Sequence, residues 1–144
     1  MRGDLEELYA YALLLIVGFP VERAYSRCVD TLFQEDPEND LLTALIWEKN
    51  IKNAVSHVQG VIDPVRLDRE RLGKSLMALL KREYLACTNY EQFARNAYSV
   101  WTLLPYEIGK EDPLFYLCYA DDPLGYDDEK GSREICEEAF NFYQ

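Results

Sequence analysis

The sequence predicts an all-α fold: one compact domain, residues 1–144, of six or seven mostly antiparallel helices. Three observations carry that expectation. Apolar residues recur at three- and four-residue intervals nearly throughout, and no stretch alternates at period two for long enough to make a strand. The breaks between periodic stretches are short and rich in Gly, Pro, Asn and Asp, which favours antiparallel neighbours. With 49% hydrophobic and 28% charged residues in 144, the chain has enough apolar material for a core that needs neither disulfide nor metal.

Each element has its own signature. A first helix covers about Asp4 to Val17, with Leu5, Leu8, Tyr9, Ala12, Leu13 and Ile16 as its apolar stripe. Gly18 ends it and Pro20 follows. A second helix starts near Pro20 and buries Val21, Ala24, Tyr25, Cys28 and Leu32. Asp36 and Pro37 read as the N-cap and first turn of a third helix, which runs unbroken to about Val58. Its stripe is Leu41, Ala44, Trp47, Ile51, Ala54, Val55 and Val58. A fourth helix carries Leu72, Leu76, Leu79, Leu80 and Tyr84, with Gly73 as a mild internal cost. Thr88-Asn89-Tyr90-Glu91 fits a capping box for a fifth helix, with Phe93, Ala97, Val100, Trp101 and Leu104 facing inward and Pro105 as the stop. Trp101 is expected in the core. A short helix follows Asp112-Pro113, and a final one starts at Asp128 or Ser132 and buries Ile135, Cys136, Ala139, Phe140 and Tyr143. The tetratricopeptide spacing and signature are absent.

Composition excludes several classes of function. There are 26 acids against 15 bases, a net charge of −11. That balance argues against direct nucleic-acid binding and against anionic membrane surfaces. The apolar run Leu8–Val17 is too short to span a bilayer and follows acids rather than a cationic start, so neither a signal peptide nor a membrane anchor is expected. Cys28, Cys87, Cys118 and Cys136 are far apart with apolar neighbours and read as four reduced core thiols of a cytoplasmic protein.

Motifs for catalysis are missing. G-x-S-x-G, the P-loop and G-x-G-x-x-G are all absent. The single histidine, His57, has no accompanying nucleophile motif and reads as a surface or hydrogen-bonded, satisfied residue on a helix flank. Counting an EF-hand from Asp121 puts Pro123 and Gly125 at ligand positions, so no metal site is expected. No cofactor is expected either. Arg66, Arg69, Arg71, Lys74, Lys81 and Arg82 are interrupted by acids and read as an ion-paired, solvated face.

The remaining feature is the acidic, aromatic-rich part 105–144. Its 11 acids and 3 bases give it a net −8, whereas residues 1–104 carry 15 acids and 12 bases. Asp121, Asp122, Asp127, Asp128 and Glu129 surround Tyr126 in a turn defined by Pro123 and Gly125. These six are the expected partner-binding residues: carboxylates steer and pair with a basic protein, and the tyrosine anchors the contact. The expected function is therefore a non-enzymatic binding protein of the cytoplasm with a basic protein partner. Its most concrete form is a bacterial immunity or antitoxin-type inhibitor that covers a toxin's basic surface. A helical adaptor or scaffold subunit is the alternative, and a nucleic-acid mimic is a third form.

Overall fold

The computed structural model describes residues 4–143. Among these residues the regular structure is entirely helical: eight α-helices and three 3₁₀ segments, with no strand. The chain forms two units, Met1–Leu72 and Gly73–Gln144.

The first unit contains α1 (Leu5–Val17), α2 (Glu22–Glu35), α3 (Asp40–Trp47) and α4 (Ile51–Val61), then a 3₁₀ turn at Pro64–Arg66. Asp4 caps α1 by accepting from the Glu7 amide at 2.8 Å. Gly18 closes it at φ 109°, a left-handed conformation that glycine adopts without a Cβ penalty. The Gly18 amide reaches the Leu15 carbonyl and the Phe19 amide reaches that of Leu14, the double closure of a Schellman end. α1 packs on both α2 and α4, α2 on α3, and α3 on α4. Flanked on two sides, α1 buries an unbroken run from Leu8 to Leu14 rather than one stripe. Its predicted end positions, Leu5 and Ile16, are exposed instead.

The predicted third helix is two helices. Glu48, Lys49 and Asn50 interrupt it, and Asn50 caps α4 by accepting from the Asn53 amide at 3.1 Å. The Glu48 carboxylate accepts from the Asn50 amide and the Asn53 side chain, which fixes the corner. The break resets the helical phase, so Trp47 lies 78% exposed although the periodicity placed it in the core. The N-cap of α3 is Asn39, not Asp36, and α2 begins after Val21 rather than at Pro20.

α5 (Arg69–Ala86) starts at the end of the first unit and continues into the second. Asp68 accepts from the Arg71 amide at 3.0 Å, and its own amide donates to Glu6 at 3.1 Å. Glu6 is buried to make that bond. Gly73 is more than a cost: a Cβ there would collide with the Tyr143 hydroxyl.

The second unit adds α6 (Tyr90–Thr102), α7 (Tyr106–Gly109), 3₁₀ segments at Leu114–Tyr119 and Asp122–Tyr126, and α8 (Glu129–Phe140). The Leu114–Tyr119 segment contacts α6, α7 and α8. Asn89, not Thr88, caps α6 by accepting from the Gln92 amide at 3.1 Å. Tyr84, Tyr90, Phe93 and Phe140 form the aromatic centre. Trp101 is only half-buried; its indole N–H donates to the Gly109 carbonyl at 2.8 Å. Of the four free thiols, Cys28 and Cys136 are buried, whereas Cys87 and Cys118 are half-buried and not core residues. No helix among the described residues is long and apolar enough to cross a membrane.

Candidate functional site

Every candidate residue lies in the second unit, around α8. The six predicted partner-binding residues divide by what they hold. Asp128 is the N-cap of α8, accepting from the Gly131 amide at 2.9 Å. Glu129, in the first turn, holds Arg133 at 2.9 Å. Asp121 is half-buried, and its carbonyl accepts from the Leu124 amide at 3.0 Å. Asp122 and Asp127 are exposed, and Tyr126 is 84% exposed. The side chains of these last three make no hydrogen bond or ion pair among the described residues. Asp127 sits at φ 57°, a left-handed position that Asp tolerates better than most residues. The acidic loop is thus partly helix-capping hardware and partly unengaged charge.

Further along α8 lies a second acidic feature that the sequence reading missed. Glu134, Glu137 and Glu138 line a cleft of about 550 Å³ with Tyr116 and Asn141. Their spacing of three, four and seven puts these α8 residues on one helix face. Glu137 accepts from the Tyr84 hydroxyl at 3.0 Å. Glu134 and Glu138 make no hydrogen bond or ion pair among the described residues. Like charges so spaced repel by a few tenths of a kcal/mol per pair. The signal was present as E-x-x-E-E, but the densest run of acids, in the loop at 121–129, drew the expectation instead.

Tyr116 ends a row of aromatic rings. Tyr98 and Trp101 lie 6.0 Å apart, Trp101 and Phe115 6.5 Å, Phe115 and Tyr119 5.7 Å, and Tyr119 and Tyr116 6.3 Å. Tyr98 is exposed and the other four are half-buried. The row runs from α6 along the Leu114–Tyr119 segment to the acidic cleft. Burial, then the negative charges of Asp112 and Glu138 among others, raise the Tyr119 hydroxyl pKa. Burial, then Asp122, raise that of Cys118.

Behind this surface is a buried polar relay. Ser132 is 0% exposed and donates to the Ala120 carbonyl. Its one proton is spent there, so the hydrogen bond with Tyr90 runs from the Tyr90 hydroxyl to Ser132. Cys136 in turn donates its S–H to Tyr90 at 3.5 Å. Burial raises the pKa values of both Tyr90 and Cys136. The Arg133 guanidinium lies 4.2 Å from the Tyr90 ring centroid and 5.6 Å from that of Tyr84. Buried and bonded on both sides, Ser132 fastens α8 to Tyr90 of α6 and to the Ala120 carbonyl.

His57 is exposed and lines a separate cleft of about 430 Å³ with Glu48, Asn53, Ser56, Gly60 and Val61. That lining contains no cysteine. Among the described residues no group of three or more His, Cys, Asp or Glu is placed to hold a metal ion. Compared with known proteins, the chain matches no family model, no curated protein and no solved structure.

Proposed function

We propose that this protein is a non-enzymatic binding protein that receives a basic protein partner on the acidic side of its second unit. Its most concrete form is an inhibitor of the immunity or antitoxin type, acting in the cytoplasm. One observation carries the reading: α8 and the loop before it present Asp122, Asp127, Glu134 and Glu138 with no hydrogen bond or ion pair to their side chains among the described residues. Clustered exposed carboxylates raise the association rate with a cationic surface and form pairs once it is docked. The cleft glutamates follow the loop's last residue, Asp128, by six to ten positions, about 9–15 Å along α8 at 1.5 Å per residue, a span suited to a protein surface rather than a small ligand.

A second reading, a helical adaptor, is favoured by Trp47, whose exposed ring lies in the first unit. Aromatic residues are enriched at interfaces, and a Trp so exposed is one such anchor.

Affinity capture at low and high salt separates the two. The wild type is compared with Asp122→Asn/Asp127→Asn/Glu134→Gln/Glu138→Gln and with Trp47→Ala. The proposal expects a basic protein that is retained at low salt, released at high salt and lost by the charge variant. Loss with Trp47→Ala alone, at either salt, would replace it with the adaptor reading.

A further inference from the structure

We infer, on the reading that the partner is cationic, that the row of rings Tyr98–Trp101–Phe115–Tyr119–Tyr116 is where it is read, and that the partner segment presents arginine rather than lysine. Carboxylates alone attract either cation. The rings discriminate, because a guanidinium is planar and weakly hydrated, so it stacks on an aromatic face while its edge pairs with a carboxylate. An ammonium keeps its water and gains less from the ring.

The second unit already contains that arrangement internally. Arg133 lies 4.2 Å from the Tyr90 ring centroid and holds Glu129 with its Nε at 2.9 Å. The row repeats the components, rings and carboxylates, with no cation over Tyr116 or Tyr119 among the described residues. Tyr116 and Tyr119 supply rings 6.3 Å apart, and Tyr116 lines the cleft with Glu134 and Glu138. The surrounding charge selects the occupant: residues 105–144 hold 11 acids and 3 bases. An arginine entering the cleft stacks on Tyr116 and pairs with Glu134 or Glu138. The remaining rings extend the contact toward α6, which suits an extended segment with further arginine or apolar side chains.

The test uses the whole chain and two labelled probes, a short oligo-arginine peptide and an oligo-lysine peptide of equal length, with Kd read by fluorescence anisotropy. The arginine peptide is expected to bind about fivefold tighter, and to keep more of its affinity as salt is raised, because stacking is less screened than charge. Tyr116→Leu is expected to abolish the preference and leave the lysine peptide's affinity unchanged. Glu134→Gln/Glu138→Gln is expected to weaken both peptides. Equal affinity of the two peptides overturns the inference and leaves the basic-partner reading standing. Binding of neither also overturns it, and the capture experiment then judges that reading by itself. If Tyr116→Leu fails to fold, the wild-type preference and its persistence in salt decide.

Discussion

In Met1–Leu72 the innermost helix, α1, is apolar over most of its length, with Leu8, Leu13 and Leu14 fully buried. In Gly73–Gln144 the middle is aromatic and hydrogen-bonded, with Ser132, Tyr90 and Cys136 joined to the Ala120 carbonyl. Charge follows a similar division. Residues 1–72 carry 13 acids and 8 bases spread along the chain. In the second unit, residues 73–104 carry 2 acids and 4 bases, and residues 105–144 carry 11 and 3. The first unit is built for burial. The second keeps hydrogen-bonded polar groups inside, aromatic rings half-buried and most of its carboxylates in residues 105–144. The interior hydrogen bonds serve stability, whereas exposed carboxylates that hold nothing in the fold do not, and it is these that the proposed partner surface uses.

The largest effect comes from the first unit. Leu13→Ala removes a side chain with 0% exposure from the middle of α1. Helices on two sides limit collapse, so about 3–4 kcal/mol of stability should be lost. Denaturant unfolding followed by circular dichroism measures it. A loss below about 1 kcal/mol would show that α1 is not the centre of that unit's core.

Two Tyr→Phe changes sharpen the contrast with opposite signs. Tyr90→Phe removes the donor to Ser132 and the acceptor for Cys136, and should cost about 1–2 kcal/mol. Tyr25 is 4% exposed, and its hydroxyl has no hydrogen-bond partner among the described residues. Removing a buried, unpartnered hydroxyl relieves its desolvation, so Tyr25→Phe should be neutral or stabilise by up to about 1 kcal/mol. Equal costs for the two would erase the distinction between an apolar and a hydrogen-bonded core.

Alkaline pH acts on the first unit through the same burial. Burial chiefly, with Glu7 and Asp4 beside it, pushes the Cys28 thiol up to about 12, and burial pushes Tyr25 up to about 12 as well. Both groups are neutral when protonated, and their folded pKa values exceed the ordinary 9.0 and 10.0. Well below pH 9 both states keep these protons and the stability is intact. Between pH 9 and about 12 the unfolded chain releases its protons first, so stability falls with rising pH. Melting temperatures across that window should decline, and the decline should be shallower in Cys28→Ala. An unchanged slope in that variant would mean that Cys28 ionises as freely in the folded protein as in the unfolded chain.

The helical class was legible because α1, α2, α5 and α6 each carry more than three turns of clean periodicity. The break at Glu48–Asn50 was not, because Ala44, Trp47, Ile51, Ala54, Val55 and Val58 keep to one face of a continuous helix and the cap is one asparagine among several polar residues. Trp47 and Trp101 were placed by periodicity alone, which gives a face but not what covers it. For the candidate site, the sequence located the acidic loop by charge density. It did not separate Asp128 and Glu129, which hold backbone and Arg133, from Asp122 and Asp127, which hold neither. The cleft at Glu134, Glu137 and Glu138 needed Tyr116, 18 or more positions earlier, to become visible. The relay through Ser132 likewise joins residues 12 and 42 positions apart, beyond the reach of any local pattern.

The smallest expected effect on stability is also the one that most cleanly separates structure from recognition. Asp122→Asn/Asp127→Asn removes two exposed charges that bind nothing in the fold. Asn occupies the left-handed region at least as readily as Asp, so the φ of 57° at position 127 is kept. Fewer like charges near Glu129 and Asp128 reduce repulsion, and the folding stability should stay within about 0.5 kcal/mol of wild type. Asp127→Ala is the informative control: it removes the same charge but strains the left-handed position, and should cost about 1 kcal/mol. If the loop serves recognition, the asparagine pair weakens capture of the basic partner while leaving the melt unchanged. A double asparagine variant that loses more stability than Asp127→Ala would mean that these carboxylates hold the fold after all. The partner's surface would then have to be met by Glu134, Glu138 and the aromatic row.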